Sequence, residues 1–141
     1  MPAGAGVRIE GGVHLPVGDY RRLRAAVGWE EPPVADAALR AALERTWNVA
    51  ARAGEELAGM GRLLEDGALY ATIWDMIVAP AHQRRGLGEA ILARLLERAR
   101  ARTIVALVAT PEGRPLYERH GFRPASRGSV ALMLRPRPSS S

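Results

Sequence analysis

The sequence predicts an α/β domain in which an antiparallel meander of strands is flanked by helices. Three observations carry this expectation. Two short amphipathic helical stretches precede a run of strand-like segments, a glycine-rich turn joins the last of those segments to the most regular helical stripe in the chain, and a further apolar strand-like segment follows.

The elements follow in order. Leu15 to Asp19 reads as a turn into a first helix, Tyr20 to Val27, in which Tyr20, Leu23 and Val27 recur at steps of three and four. Pro32 and Pro33 break the chain before a second helix over 36–45, where Leu39, Ala42 and Leu43 share a stripe opposite Arg40 and Glu44. Strands are then expected over 47–52, 57–64 and 69–78, with Glu65-Asp66-Gly67 as a hairpin turn. Both faces of the last strand are largely apolar, so it is expected in the middle of the sheet. Leu87 to Arg100 carries Leu87, Ile91, Leu92, Leu95 and Leu96 at helical spacing. Thr103 to Val108 reads as a buried strand, 112–119 as a helix ending at Gly121, and Val130 to Leu134 as a final strand. Residues 1–134 are expected to form a single domain, and 135–141 a disordered tail.

Composition excludes several classes of function. With 48% hydrophobic and 25% charged residues the chain is expected to pack a core, and the absence of cysteine removes disulfides, thiolate nucleophiles and cysteine metal sites. His14 and His120 lack metal-ligand spacing, so no metal is expected. No apolar run approaches the roughly 18 residues needed to span a bilayer. The start of the chain carries no apolar segment of the signal type, and a cytoplasmic protein is expected. The formal charge of +5 raises a nucleic-acid reading, but every basic residue is an arginine, spread from Arg8 to Arg137 among acids, and no nucleic-acid partner is expected. A polyanionic cofactor would use the same charge.

The segment Val78-Ala79-Pro80-Ala81-His82-Gln83-Arg84-Arg85-Gly86-Leu87-Gly88 joins a strand to an amphipathic helix. Its glycines permit close backbone approach, successive amides from Arg84 to Glu89 form a potential anion nest, and the helix dipole adds positive potential. A diphosphate suits such a nest. The P-loop pattern requires a lysine that this chain lacks, and the dinucleotide pattern Gly-x-Gly-x-x-Gly is absent, which leaves coenzyme A as the best-fitting diphosphate.

Val78-x-Pro80 followed by Gln83-Arg84-Arg85-Gly86-Leu87-Gly88 resembles the pyrophosphate-binding motif of GNAT acetyltransferases, and Leu116-Tyr117-Glu118-Arg119-His120-Gly121-Phe122 resembles their second signature. The stretch Ala71 to Val78, with Gly59-Met60-Gly61-Arg62 and Asp66-Gly67, resembles the branch that includes the plastid and cyanobacterial type of serotonin N-acetyltransferase. The resemblance implies the GNAT fold, α+β with a central mixed, mostly antiparallel sheet and about four helices. It implies an enzyme moving the acetyl group of acetyl-CoA to a primary amine by direct attack, the acceptor being an arylalkylamine, another small amine or a protein lysine. A GNAT-fold module that binds acetyl-CoA without turnover is the alternative. A homodimer is one option for assembly.

By the same resemblance, Met76, Ile77 and Val78 carry the pantetheine arm, and Gln83, Arg84, Arg85, Gly86, Leu87, Gly88 and Glu89 the diphosphate. A β-bulge separates this strand from the next, and the acetyl group sits in the gap. Tyr117 takes the place of the general acid that protonates the leaving thiolate. Asp75, the lone charge in an apolar strand, needs a partner, and either a cationic amine that it binds or deprotonates or hydrogen bonds from neighbouring loops would serve. Trp29 lies where relatives line the acceptor site, while Trp47 and Trp74 read as packing residues. Two positions depart from the family pattern: Pro111 replaces an asparagine that touches coenzyme A, leaving Thr110 as the nearby polar group, and His82 stands where a tyrosine is frequent.

Overall fold

The structure is a computed structural model that describes residues 6–136. The chain divides between Leu107 and Val108 into two compact units. The first contains β1 (Val7–Gly11), α1 (Val17–Ala26), α2 (Asp36–Glu44), β2 (Trp47–Ala53), β3 (Glu56–Glu65), β4 (Tyr70–Val78), a single 3-10 turn (Pro80–His82), α3 (Leu87–Ala99) and β5 (Ile104–Ala106). The second holds α4 (Arg114–Arg119).

The five strands form one sheet in the order β1-β2-β3-β4-β5, antiparallel up to β4 and parallel between β4 and β5. This is the mixed, mostly antiparallel sheet expected. Local chemistry explains the turns. Asp66 accepts backbone N–H bonds from Ala68, Leu69 and Tyr70, which closes the β3–β4 hairpin and holds its carboxyl below the usual carboxylate range. α1 starts earlier than periodicity alone suggests because Pro16 is compatible with the helix entry and Val17, Tyr20 and Leu23 all point inward.

One side of the sheet is covered by α1 and α2, whose Leu23, Leu39 and Leu43 pack with Ala50, Met60 and Ile77. α3 covers the other side with Leu87, Ile91, Leu92, Leu95, Leu96 and Ala99 buried, each large side chain contributing about 1.5–3 kcal/mol of burial. Its close approach depends on small residues in β3. A Cβ on Gly61 would lie 2.7 Å from Leu95 Cδ1 and from Met76 Sδ, and one on Gly59 would lie 2.9 Å from Ile91 Cδ1. The guanidiniums of Arg94 and Arg98 lie over the Trp47 ring at 5.2 and 5.5 Å from its centre.

Three expectations are corrected, and one strand is added. Thr103 to Val108 is not a buried strand: β5 covers only Ile104–Ala106 at the sheet edge, with Ile104 51% exposed. Val130 to Leu134 forms no strand; its alternating apolar residues find no ladder partner among the described residues and stay exposed. Trp74 is not core, being 46% exposed with its indole N–H donated to Thr72 Oγ1 at 2.7 Å. A first strand, β1, was not expected at all. Of the expected disordered tail, 137–141 lie outside the described residues.

Gly61→Ala should lower stability by about 1–3 kcal/mol through overpacking against α3, read as a lower denaturation midpoint in urea with an unchanged slope.

Candidate functional site

β3 and β4 lose register at one point. Leu63 pairs with Ile73 and Arg62 with Trp74, but Met60 pairs with Ile77, so Gly61 alone faces both Asp75 and Met76. β4 therefore carries one extra residue, a β-bulge in its pairing with β3 rather than between it and the next strand. Asp75 takes the left-handed backbone conformation within it, at φ 54°. For a residue with a side chain that conformation costs roughly 1–2 kcal/mol, and aspartate is among the few that tolerate it.

Its surroundings hold it there. The Asp75 carboxylate accepts from Tyr20 Oη at 2.6 Å, Arg62 Nη1 at 2.8 Å and Arg24 Nη1 at 3.1 Å. Both arginines are anchored elsewhere: Arg24 donates to Glu30 O, and Arg62 to Thr46 Oγ1 and Ala42 O. The three ionic side chains are only 12–18% exposed. Two guanidiniums thus compensate the lone acid, and no cationic amine is required to do so. Burial first, and then the bond to Asp75, push the Tyr20 phenol above its ordinary value. The ring of Trp29 stacks on Arg24 at 5.2 Å and stays 42% exposed, which attaches the loop after α1 to the same cluster.

Beyond the bulge the edge of β4 is open. β5 pairs only with Tyr70, Ala71 and Thr72, so 73–78 have no strand on that side among the described residues. Ala79 N–H donates back to Ala58 O, and strand alternation turns the backbone groups of Val78 and Met76 towards the open edge. Gln83 Nε2 donates to Val78 O at 3.0 Å, tying the following loop to the strand end.

The loop itself is exposed from Gln83 to Gly86. Arg84 (φ 64°) and Gly86 (φ 78°) are both left-handed, and alternation of this type gathers backbone N–H groups into an anion-binding concavity. Gly86 is the N-cap of α3 and offers no side-chain cap, so the amides of Leu87, Gly88 and Glu89 precede the first intrahelical bond, from Ala90 N–H to Gly86 O. The residues present therefore fit a diphosphate on chemistry as well as on spacing. His82 lies beside Glu56 at 3.6 Å with its Nδ1 buried and unbonded.

In the second unit, Tyr117 lies on α4, half-buried, with its ring edge-to-face with Phe122 at 6.0 Å. Burial pushes its phenol above the ordinary value. Thr110 is occupied in starting α4, its hydroxyl accepting from Gly113 N–H at 3.1 Å. Among the described residues no group of three or more His, Cys, Asp or Glu could hold a metal, and no helix is long and apolar enough to cross a membrane.

Sequence reasoning found Asp75 and the loop but missed Tyr20, Arg24 and Arg62. A signal existed for Arg62, the single charge between Leu57 and Leu64 on the neighbouring strand. Nothing in the spacing of α1 marked Arg24 among its other arginines.

Comparison with known proteins gives a consistent picture. Residues 16–122 match the Acetyltransferase (GNAT) family. Histone acetyltransferase TAP1 of Glycine max is 32% identical over 89% of this chain and 59% of its own length. GCN5-related N-acetyltransferase 2, chloroplastic, of Arabidopsis thaliana is 28% identical over 89% and 57%. Serotonin N-acetyltransferase 2, chloroplastic, of Oryza sativa subsp. japonica is 34% identical over 77% and 56%. The chain thus spans 56–59% of the length of these relatives. A GNAT family acetyltransferase from Streptococcus pneumoniae TIGR4 shares the fold at a TM-score of 0.79, with 24% identity over 94% of this chain and 99% of the other. A protein from Clostridium acetobutylicum solved with acetyl-CoA shares it at 0.67, with 20% identity over 90% and 96%. The expectation of a cytoplasmic protein is overturned by the Arabidopsis and rice relatives, both chloroplastic.

Proposed function

Because this chain belongs to the GNAT family of acetyltransferases, we propose that residues 1–134 act as one catalytic domain that transfers the acetyl group of acetyl-CoA directly to a primary amine. The observation that carries the reading is the open edge of β4 beside a loop with two left-handed residues and the amides of Leu87 and Gly88 at the start of α3. The diphosphate would rest on the amides of 84–89, with Gln83 tying the loop in place. The pantetheine arm would lie along Met76, Ile77 and Val78 as an added strand, since main-chain groups on an unpaired edge give affinity without side-chain specificity.

Acetyl transfer needs an amine without its proton and a proton for the departing thiolate. Tyr117 is proposed as that donor. The raised value of its phenol keeps it protonated through neutral and alkaline pH, as an acid must be. The acceptor proposed first is an arylalkylamine, supported by the exposed ring of Trp29 held beside the Asp75 cluster and by the name of the rice relative. A protein lysine is the second reading, supported by the name of the soybean relative. Steady-state kcat/KM for tryptamine against a histone-tail peptide decides between them, and the arylalkylamine reading requires tryptamine to lead by at least about tenfold.

A Cβ on Gly86 would meet no protein atom within 4 Å, so Gly86→Val should fold with local backbone strain and bind acetyl-CoA at least about tenfold more weakly. Calorimetric titration measures this, and an unchanged dissociation constant removes the loop from the binding site. Tyr117→Phe keeps the ring and its contact with Phe122. It should preserve acetyl-CoA affinity while lowering kcat by about a hundredfold. In the wild type, kcat should fall only as pH rises past the ordinary phenol value of about 10, and that limb should be missing from Tyr117→Phe.

A further inference from the structure

The mechanism above leaves unused the cluster of Tyr20, Arg24, Arg62 and Asp75. We propose that Arg24, Arg62 and Tyr20 are positioning residues for acetyl transfer, clamping Asp75 so that the bulge in β4 stays formed and the edge beyond it stays open to acetyl-CoA. The proposal rests on the reading that acetyl-CoA lies along β4.

Geometry argues for a clamp. A bulge built on a left-handed non-glycine residue persists only where its surroundings over-determine it, and here three donors from two other elements converge on one carboxylate. Tyr20 and Arg24 lie one turn apart on α1, so both reach Asp75 from the same helix face. Arg62 reaches it from β3, directly beside the point where the ladder slips. It also bonds Ala42 O near the end of α2, so the clamp spans both helices and both strands. Arg62 and Arg24 each stack on the Tyr20 ring as well, at 5.5 and 5.7 Å.

The same geometry argues against proton transfer at Asp75. A carboxylate is acceptor-only, and three of its lone-pair directions are already filled, two by cations. That leaves at most about one lone-pair direction for an amine, on a carboxylate whose side chain is only 12% exposed. Asp75 therefore acts through the backbone it fixes.

The test measures acetyl-CoA affinity by calorimetry and the pH profile of kcat/KM for an accepted amine in Tyr20→Phe, Arg62→Met, Asp75→Asn and the double variant Arg62→Met/Asp75→Asn, each checked for folding by thermal melting. Positioning predicts that Arg62→Met weakens acetyl-CoA binding about tenfold, and Tyr20→Phe about threefold, with kcat falling in step. The double variant should be no worse than its worse parent, because one clamp is lost only once. Asp75→Asn should keep the acid limb of the wild-type profile. The idea is overturned if Tyr20→Phe and Arg62→Met match the wild type in affinity and kcat while Asp75→Asn alone loses about a hundredfold together with the acid limb, which would make Asp75 a base. Tyr20→Phe removes a single oxygen, so its affinity alone decides the matter should Arg62→Met not fold. A wild-type protein that binds acetyl-CoA but acetylates no amine defeats the proposed function, and the affinity series then still tests the clamp.

Discussion

Asp75 sits where two antiparallel strands lose register by one residue, and the rest of the site is arranged around that slip. The hairpin fixed by Asp66 sets the ladder from Glu65↔Ala71 to Arg62↔Trp74, and the extra residue on β4 then shifts every later pair to Met60↔Ile77 and Gly59↔Val78. Without the slip, Ile77 would lose its inward place in the core beside Met60, since a one-residue change of register reverses the faces. The packed residues on α1 and the bulge are therefore parts of one arrangement. Gly61 completes it, because a Cβ there would come within 2.7 Å of Met76 Sδ and Leu95 Cδ1 where they close over the bulge.

Electrostatics divide along the same strand. On the α1 and α2 side, one carboxylate is compensated by two guanidiniums and a phenol, which leaves that cluster with a net positive charge. At the strand's end stand instead the amides of Leu87 and Gly88, which precede the first intrahelical bond, and the exposed arginines of the loop. Fixed dipoles of this kind favour an anion without reorganising to meet it. The all-arginine composition matters here too, since a loop without lysine must cradle a diphosphate chiefly by its backbone.

Much of this was legible in the sequence, and the misses have physical causes. Periodicity of two in 47–78 and of three to four in 87–100 gave β2, β3, β4 and α3 to within about two residues, because each buries a continuous apolar face. The loop was legible because its glycines answer a backbone requirement. Trp74 was misjudged because alternation reveals which side a residue faces but not whether anything covers that side. Val130 to Leu134 alternates well yet forms no ladder, since a strand exists only where another strand pairs with it. Tyr20, Arg24 and Arg62 were missed for a related reason: they meet Asp75 across 13 to 55 positions of sequence, and only the register of the bulge brings them together. The lone charges Arg62 and Asp75, on strands joined by a recognisable hairpin, were the one available hint.

Backbone amide resonances of the wild-type protein followed during titration with acetyl-CoA test the central claim most directly, because the account assigns binding to main-chain groups. It predicts that Met76, Val78 and the amides of 84–89 move together and saturate at one dissociation constant, with those of β1 unmoved. Saturable binding that leaves the 84–89 amides in place would contradict it.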